Sequence, residues 1–314
     1  MNLIDAYRYL AALNVHRHFG RAAAACHVTQ PALSNALRAL ESHFGCTIVR
    51  RGRQFDGFTP EGERVLAAAH RMLRDQEALE QEVADTGQGP RGRLVVGTVP
   101  TALPIAARFA ARLAQRHPGL APQLRSMSSQ DIEAGLESLA IDLALGFTER
   151  VSDRPTVAVW PQAVEHYFLV GPCGPGAAAG SQPSVTWSEA ASMRLALLTP
   201  EMHHRVLIDR VFEGLGLRVR PVFETDAVLA LSLAVQSGGL WAVMPGALVA
   251  SAARPAGLQV RRLVEPELLT PVGFMTAAAA PATRALQAAL ALAREPAWLV
   301  EVATISGALE PAAA

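Results

Sequence analysis

Gln30, Ser34, Asn35 and Arg38 carry side chains suited to reading nucleic acid. Amide and guanidinium groups can hydrogen-bond a base edge bidentately, and hydroxyls reach bases or phosphates. Helical spacing places these four on one face of a helix, opposite Leu33, Ala36, Leu37 and Leu40. A short stretch beyond them holds Arg50, Arg51 and Arg53, cations suited to phosphate contact. An ordinary solvated helix face would show similar polar residues. The turn, the proline and the basic hairpin around this one favour a reading face.

The elements that must position these groups are legible. A helix built on the AAAA run is expected at about 21–27 and a turn at 28–29, with Thr29 as N-cap of the next helix. Pro31 falls in the first turn, where proline is tolerated, and Gly45 ends the helix by its access to left-handed backbone. Helix, turn, helix and basic hairpin make the outline of a winged helix-turn-helix. Net charge is zero over the 314 residues, yet residues 1–59 hold seven arginines (8, 17, 21, 38, 50, 51, 53) against three acids (5, 41, 56). Positive charge is therefore concentrated where DNA contact is expected. All 28 basic residues are arginine, which, with the abundant alanine, is read as a coding bias.

Thr29, Gln30, Pro31, Ala32, Leu33, Ser34, Leu37, Arg38, Leu40 and Glu41, followed by Phe58, Thr59, Pro60, Gly62 and Glu63, match the pattern of one family. The segment resembles the DNA-binding domain of LysR-type transcriptional regulators. Phe58 replaces the usual leucine, and Val49, Arg50 and Arg51 replace the commoner F-x-R of the wing. The resemblance is specific over the first 65 residues and looser beyond. It implies a DNA-contact set of Thr29, Gln30, Pro31, Ser34, Asn35, Arg38, Arg50, Arg51, Arg53 and Thr59, a double-stranded operator as partner, and RNA polymerase as a further candidate partner.

Residues 60–85 then read as one long helix, with neither glycine after Gly62 nor proline after Pro60. Val65, Ala69, Met72, Gln76, Leu79 and Val83 follow a heptad spacing, which suits a dimer seam. The family resemblance alone adds a tetramer through the sensor domains. TGQGPRG (86–92) reads as a hinge.

From residue 93 the period changes. Strands are expected at 93–99, 120–125 and 143–147, with helices at 101–117 and 129–139 between them. The pattern recurs with strands at 194–198, 218–223 and 240–244 and helices at 201–215 and 227–237. Segments 156–160, 167–170, 259–263 and 272–276 look like strands crossing between lobes, before a last helix at 282–294. The expected fold is thus α/β: a winged helix-turn-helix (1–59), a linker and dimerisation helix (60–85), a hinge (86–92) and a two-lobed, periplasmic-binding-protein-like sensor domain (93–302). Lobe I would take about 93–162 and 267–302, lobe II about 163–266, and 303–314 would be a flexible tail.

Ligands of open parallel sheets sit beyond the carboxyl ends of the strands. Those ends supply Thr98, Pro100, Thr101, Ser128, Ser129, Phe147 and Thr148 from one lobe, and Met202, His203, His204, Thr225 and Pro245 from the other. Hydroxyls and helix N-termini favour a small anion, a carboxylate or phosphate, although each serine or threonine alone is as well explained as a helix cap. Of His203 and His204, at most one is expected to face the cleft, because neighbours on a helix point about 100° apart.

Other classes find less support. GxSxG, Walker and HExxH motifs are absent, so no catalytic residues and no cofactor are expected. Cys26, Cys46 and Cys173 lack metal-ligand spacing, no i+4 histidine or cysteine joins the histidine pair, and no metal is expected. Cys173, in an exposed-looking loop, has no neighbour to make a redox pair. Neither a leader nor a membrane span is seen, so a cytoplasmic location is expected. A small-molecule binding protein of the same sensor fold without a regulatory role is the alternative. It leaves residues 1–85 unexplained.

Overall fold

The computed structural model describes residues 2–52, 55–83, 89–173, 184–251, 258–278 and 283–307. Helices α1 (Leu3–His16), α2 (Phe19–Ala25) and α3 (Gln30–Phe44) pack around one core beside an antiparallel hairpin of β1 (Val49–Arg51) and β2 (Phe55–Phe58). Each helix contributes its apolar stripe: Tyr7, Leu10 and Leu13, then Ala22 and Ala23, then Leu33, Leu37 and Leu40, all essentially fully buried. Burying each large side chain contributes roughly 1.5–3 kcal/mol.

Thr29 accepts the Ala32 N–H at 3.3 Å and caps α3, and Gly45 ends it at φ 65°. α2 starts and stops two residues earlier than the alanine run suggests. His18 Nδ1 accepts the N–H groups of Gly20 and Arg21 at 3.1 and 3.3 Å and so sets the start. Histidine is not among the usual capping residues, so this boundary is hidden in the sequence.

α4 (Pro60–Val83) follows. Its heptad stripe divides. Ala69 is buried and Val65 half-buried against the DNA-binding domain's own core, and the Gln76 side chain accepts from Arg8 at 3.4 Å. Met72, Leu79 and Val83 stay exposed. The first part of the stripe is therefore not a seam for a partner, because α1 occupies it; a heptad spacing suits any neighbouring helix, including one from the same chain. Farther along, the Arg74 guanidinium pairs with Asp142 and donates to the Leu139 carbonyl, while His70 Nδ1 donates to the Ser138 carbonyl at 3.1 Å. These bonds dock the long helix on the sensor domain. Of the hinge, residues 86–88 lie outside the described residues; Gly89 and Gly92 both take positive φ.

The first half of the sensor alternates β3 (Gly92–Thr98), α5 (Leu103–Arg116), β4 (Leu120–Ser126), α6 (Ser129–Glu137) and β5 (Leu143–Phe147), with β4, β3 and β5 parallel. A short 3-10 turn, Pro100–Ala102, precedes α5. One 16-residue strand, β6 (Val157–Pro172), follows in place of the two short crossings expected. The chain then runs β7 (Ser184–Thr186), α7 (Trp187–Ala191), β8 (Leu195–Leu198), α8 (His203–Gly214), β9 (Phe223–Thr225), α9 (Val228–Gly238), β10 (Trp241–Pro245), α10 (Gly246–Ser251), β11 (Leu258–Val264), β12 (Leu269–Ala277), α11 (Arg284–Ala293) and α12 (Pro296–Gly307).

The sheet order β4-β3-β5-β12-β6-β10-β8-β9 makes β6 the common spine: its first part pairs with β12, its last part with β10 and β11. Residues 161–166 look too polar for a strand because their partners are remote. Gln162 donates to the Ala293 carbonyl at 3.0 Å and accepts from Trp298 Nε1 at 2.6 Å. Trp298 in turn packs edge-on to Phe109. α12 overturns part of the expected tail: residues 303–307 are helical and Ser306 is fully buried, while 308–314 lie outside the described residues. No helix among the described residues is long and apolar enough to cross a membrane.

Candidate functional site

On α3, Gln30, Pro31, Asn35 and Arg38 are exposed and Ser34 is half-buried, while Leu33, Leu37 and Leu40 are buried. Asn35 and Arg38 lie on the side away from the leucines, and Gln30, at the start of the helix, lies nearer their edge. Arg50 is exposed on β1; Arg51 lies on the same strand, and Arg53 is outside the described residues. Two threonines of the expected contact set are engaged inside the domain. Thr29 caps α3. Thr59 donates its hydroxyl to the Thr47 carbonyl and accepts the Gly62 N–H at 2.9 Å, which caps α4. Their first role is to fix the two helices.

In the sensor, Pro100, Thr101, Ser128, Ser129 and Phe147 of one lobe face Met202, His203 and His204 of the other across a cavity of about 10 Å³. Such a space holds about one water, so the lobes stand closed on each other. His203 reaches across the cleft: its Nε2 lies 3.0 Å from Glu149 Oε1, and its Nδ1 is 3.4 Å from Arg150. Its ring also meets Phe147 edge-on at 4.8 Å. Arg150 is held by Glu133 at 2.7 Å.

His204 turns inward, stacked on Tyr167 at 5.5 Å. It is 3 % exposed, and neither ring nitrogen has a hydrogen-bond partner among the described residues. Burial, then the nearby His203, pulls its pKa down to about 3, so the ring is neutral and keeps one donor and one acceptor. Ser129 Oγ is likewise buried without a partner among the described residues. Both histidines border the cavity, but they diverge as neighbours on a helix must: His203 points across the cleft and His204 turns into its own lobe.

Four expected residues do not line this cavity. Thr98 is buried and donates to the Val99 carbonyl at 3.2 Å, and Thr148 donates to the Pro271 carbonyl at 3.3 Å. Thr225 accepts the Ala227 N–H at 3.1 Å, and Pro245 lies in register with Tyr167 within the sheet. The sequence offers no signal for the opposite omission, Val99, Leu198 and the Glu149–Arg150 pair, because a closing contact depends on how two lobes meet. No group of three or more His, Cys, Asp or Glu side chains among the described residues is arranged to hold a metal ion.

Two family descriptions match the chain. "Bacterial regulatory helix-turn-helix protein, lysR family" covers residues 4–63, and "LysR substrate binding domain" covers residues 87–298. The chain belongs to the LysR family. Among curated relatives, the SDS degradation transcriptional activation protein of Pseudomonas sp. (strain ATCC 19151) is 33% identical over 162 residues, covering 51% of this chain and 53% of the relative. The DNA-binding transcriptional dual regulator OxyR of Escherichia coli K12 is 34% identical over 146 residues, 46% of this chain and 48% of the relative. The chain thus spans about half the length of the curated relatives it matches.

Among solved structures, a full-length OxyR with a single cysteine replaced, from Pseudomonas aeruginosa, aligns over 93% of this chain and 97% of its own, with a TM-score of 0.72 at 22% identity. CbnR complexed with its target DNA aligns over 93% and 98%, with a TM-score of 0.64 at 18% identity. At these identities the likeness is one of fold.

Proposed function

We propose that this chain is a DNA-binding transcriptional regulator whose operator affinity responds to a small anion held between the lobes of its sensor domain. The observation that carries the effector reading is that Ser129 Oγ and the His204 ring, on opposite walls of one cleft, are buried with no hydrogen-bond partner among the described residues. A buried polar group without a partner costs about 1–3 kcal/mol, which a ligand that bonds both would recover. The first turns of α6 and α8 also open on this cleft, and α8 has no side-chain cap; free N–H groups there favour negative charge. Because the closed cavity is so small, a metabolite must part the lobes and displace or share the His203–Glu149 contact. That gives the ligand a different affinity for the two lobe arrangements, which is what shifting an equilibrium requires.

Several relatives are named hydrogen peroxide-inducible genes activators. Here none of the three cysteines lines the cleft, and the reading is of reversible binding. The test is fluorescence anisotropy on the DNA upstream of the chain's own gene, with small organic acids and hydrogen peroxide as separate additions. Arg38→Ala is expected to weaken operator binding by about 1–3 kcal/mol. Thr101→Val and Ser129→Ala are expected to bind operator normally and to lose the response to the active acid. Full responses in both variants, or a response to peroxide alone, would sink the effector reading.

The chain is further proposed to dimerise through the exposed end of α4, Met72, Leu79 and Val83. Leu79→Glu should then shift sedimentation at micromolar concentration toward monomer, and a monomeric wild type would refute the seam.

A further inference from the structure

A second cavity, of about 500 Å³, lies where α1, α4 and the β3–β4 edge of the sensor meet. That is well within the size range of small-molecule sites. Arg8 of α1, Arg74 of α4 and Arg93 and Arg125 of the sensor line it, together with His16 and His70. Among the described residues, Asp142 is the one carboxylate in its lining, and both of its oxygens are engaged: one by Arg74, the other by the Val95 N–H at 2.6 Å. Arg8 lies beside Asp5 at 3.5 Å.

Arg93 and Arg125 have no carboxylate within ion-pair distance among the described residues. They sit on one face of the β3–β4 ladder, where Arg93 is level with Ala121 and Arg125 with Gly97. Their positive field is felt by neighbours. Burial, and then the charge of Arg93, lowers the pKa of Arg125, with Asp142 opposing in smaller measure. His70 is pulled down to about 4, chiefly by burial, with Arg74 and Arg125 adding to the effect.

We propose that this interdomain cavity is a second, separate binding site for a multiply charged oxyanion, a phosphorylated small molecule or a di- or tricarboxylate. Guanidinium forks match carboxylate and phosphate oxygens in pairs. Arg93 and Arg125 come from the sensor and Arg8 and Arg74 from the DNA-binding domain and its long helix. An anion between them neutralises both sides and holds the two parts in their docked arrangement, alongside the Arg74–Asp142 and His70–Ser138 contacts. The site is independent of the interlobe cleft, which none of these residues lines.

The experiment is calorimetric titration and thermal denaturation of the full chain with pyrophosphate, citrate and acetate, each at the same ionic strength set with chloride. Pyrophosphate or citrate is expected to bind saturably and raise the melting temperature, and which of them acts distinguishes a phosphate from a carboxylate ligand. Acetate should do neither. Arg93→Gln/Arg125→Gln should weaken the effective anion at least about tenfold, since a charged hydrogen bond contributes about 1.5–3 kcal/mol. Without ligand this variant should be at least as stable as wild type, because like-charge repulsion is relieved. Ser129→Ala, in the cleft, should leave the binding unchanged. Three outcomes overturn the proposal. One is the absence of saturable binding by both polyvalent anions. Another is their undiminished binding to the double variant. The third is weaker operator binding by that variant with neither anion present, which would assign these arginines to the DNA footprint.

Discussion

Gly62→Ala is expected to unfold the DNA-binding domain or detach its wing, and with it to abolish operator binding. Gly62 lies in the first turn of α4, pressed on the backbone of Ile48, the residue just before β1. A Cβ at this position would stand 2.2 Å from the Ile48 carbonyl oxygen and 2.9 Å from its carbon. That oxygen already accepts the Thr59 N–H at 3.0 Å, and Thr59 in turn caps Gly62, so neither side of the contact has slack. Overpacking of this kind costs about 1–3 kcal/mol when neighbours can yield, and here the neighbour is backbone. A domain of about 60 residues has little stability in reserve. Circular dichroism should show partial loss of helix, and anisotropy should show no specific binding. Glu61→Ala, which removes an exposed pair with Arg64 and one of two first-turn negative charges of α4, is the control and should stay within about 1 kcal/mol of wild type. If Gly62→Ala melts with the wild type and binds operator, the close approach of α4 to Ile48 is not the constraint it is taken to be.

Glu165→Gln should change how the sensor's stability depends on pH. Glu165 is 3 % exposed on β6, accepting the Ala247 N–H at 3.3 Å and the Ser306 hydroxyl at 3.2 Å. Burial pushes its pKa from 4.5 up to about 8, against the smaller opposing effect of these hydrogen bonds. The folded state therefore holds a proton that the unfolded state releases above pH 4.5. Stability from this group is fully present below 4.5 and declines as pH rises to about 8, where the loss is complete. One pH unit across that window is worth about 1.36 kcal/mol, so the whole loss is on the order of a few kcal/mol. Glutamine can accept from Ala247 and donate to Ser306, so it keeps the bonds and removes the titration. Urea midpoints at pH 5, 7 and 9 should fall for wild type relative to the variant, and parallel profiles would refute the assignment. His204 and His70, both held neutral by burial, weaken the fold on the acid side in both proteins and cancel in the difference.

Much of the DNA-binding domain was legible from residues because its determinants are local. The α3 cap, the proline in its first turn, the αL glycine and the i, i+4 leucine stripe act within a few residues of one another. They fix the helix and also decide which side chains point outward. The family pattern T-P-x-G-E was legible too, but only the contact between Gly62 and Ile48 shows why the glycine is needed there. The βαβ order of each lobe followed from period and from Gly and Pro punctuation in the same way.

Tertiary structure decided what depends on partners far along the chain. Heptad spacing on α4 could not say whether a second subunit or α1 covers Val65 and Ala69, because the stripe is the same for either neighbour. The polar stretch around Gln162 and Glu165 hid the continuity of β6, since Ala293, Trp298, Ser306 and Ala247 satisfy it from 80 or more residues away. At the cleft, serines and threonines at strand ends were all equal candidates in the sequence. Folding left Ser129 and His204 buried without partners among the described residues, while the hydroxyls of Thr98, Thr148 and Thr225 found backbone partners. A sequence states which groups can hydrogen-bond; only the packed chain determines which of them are left with nothing to bond to.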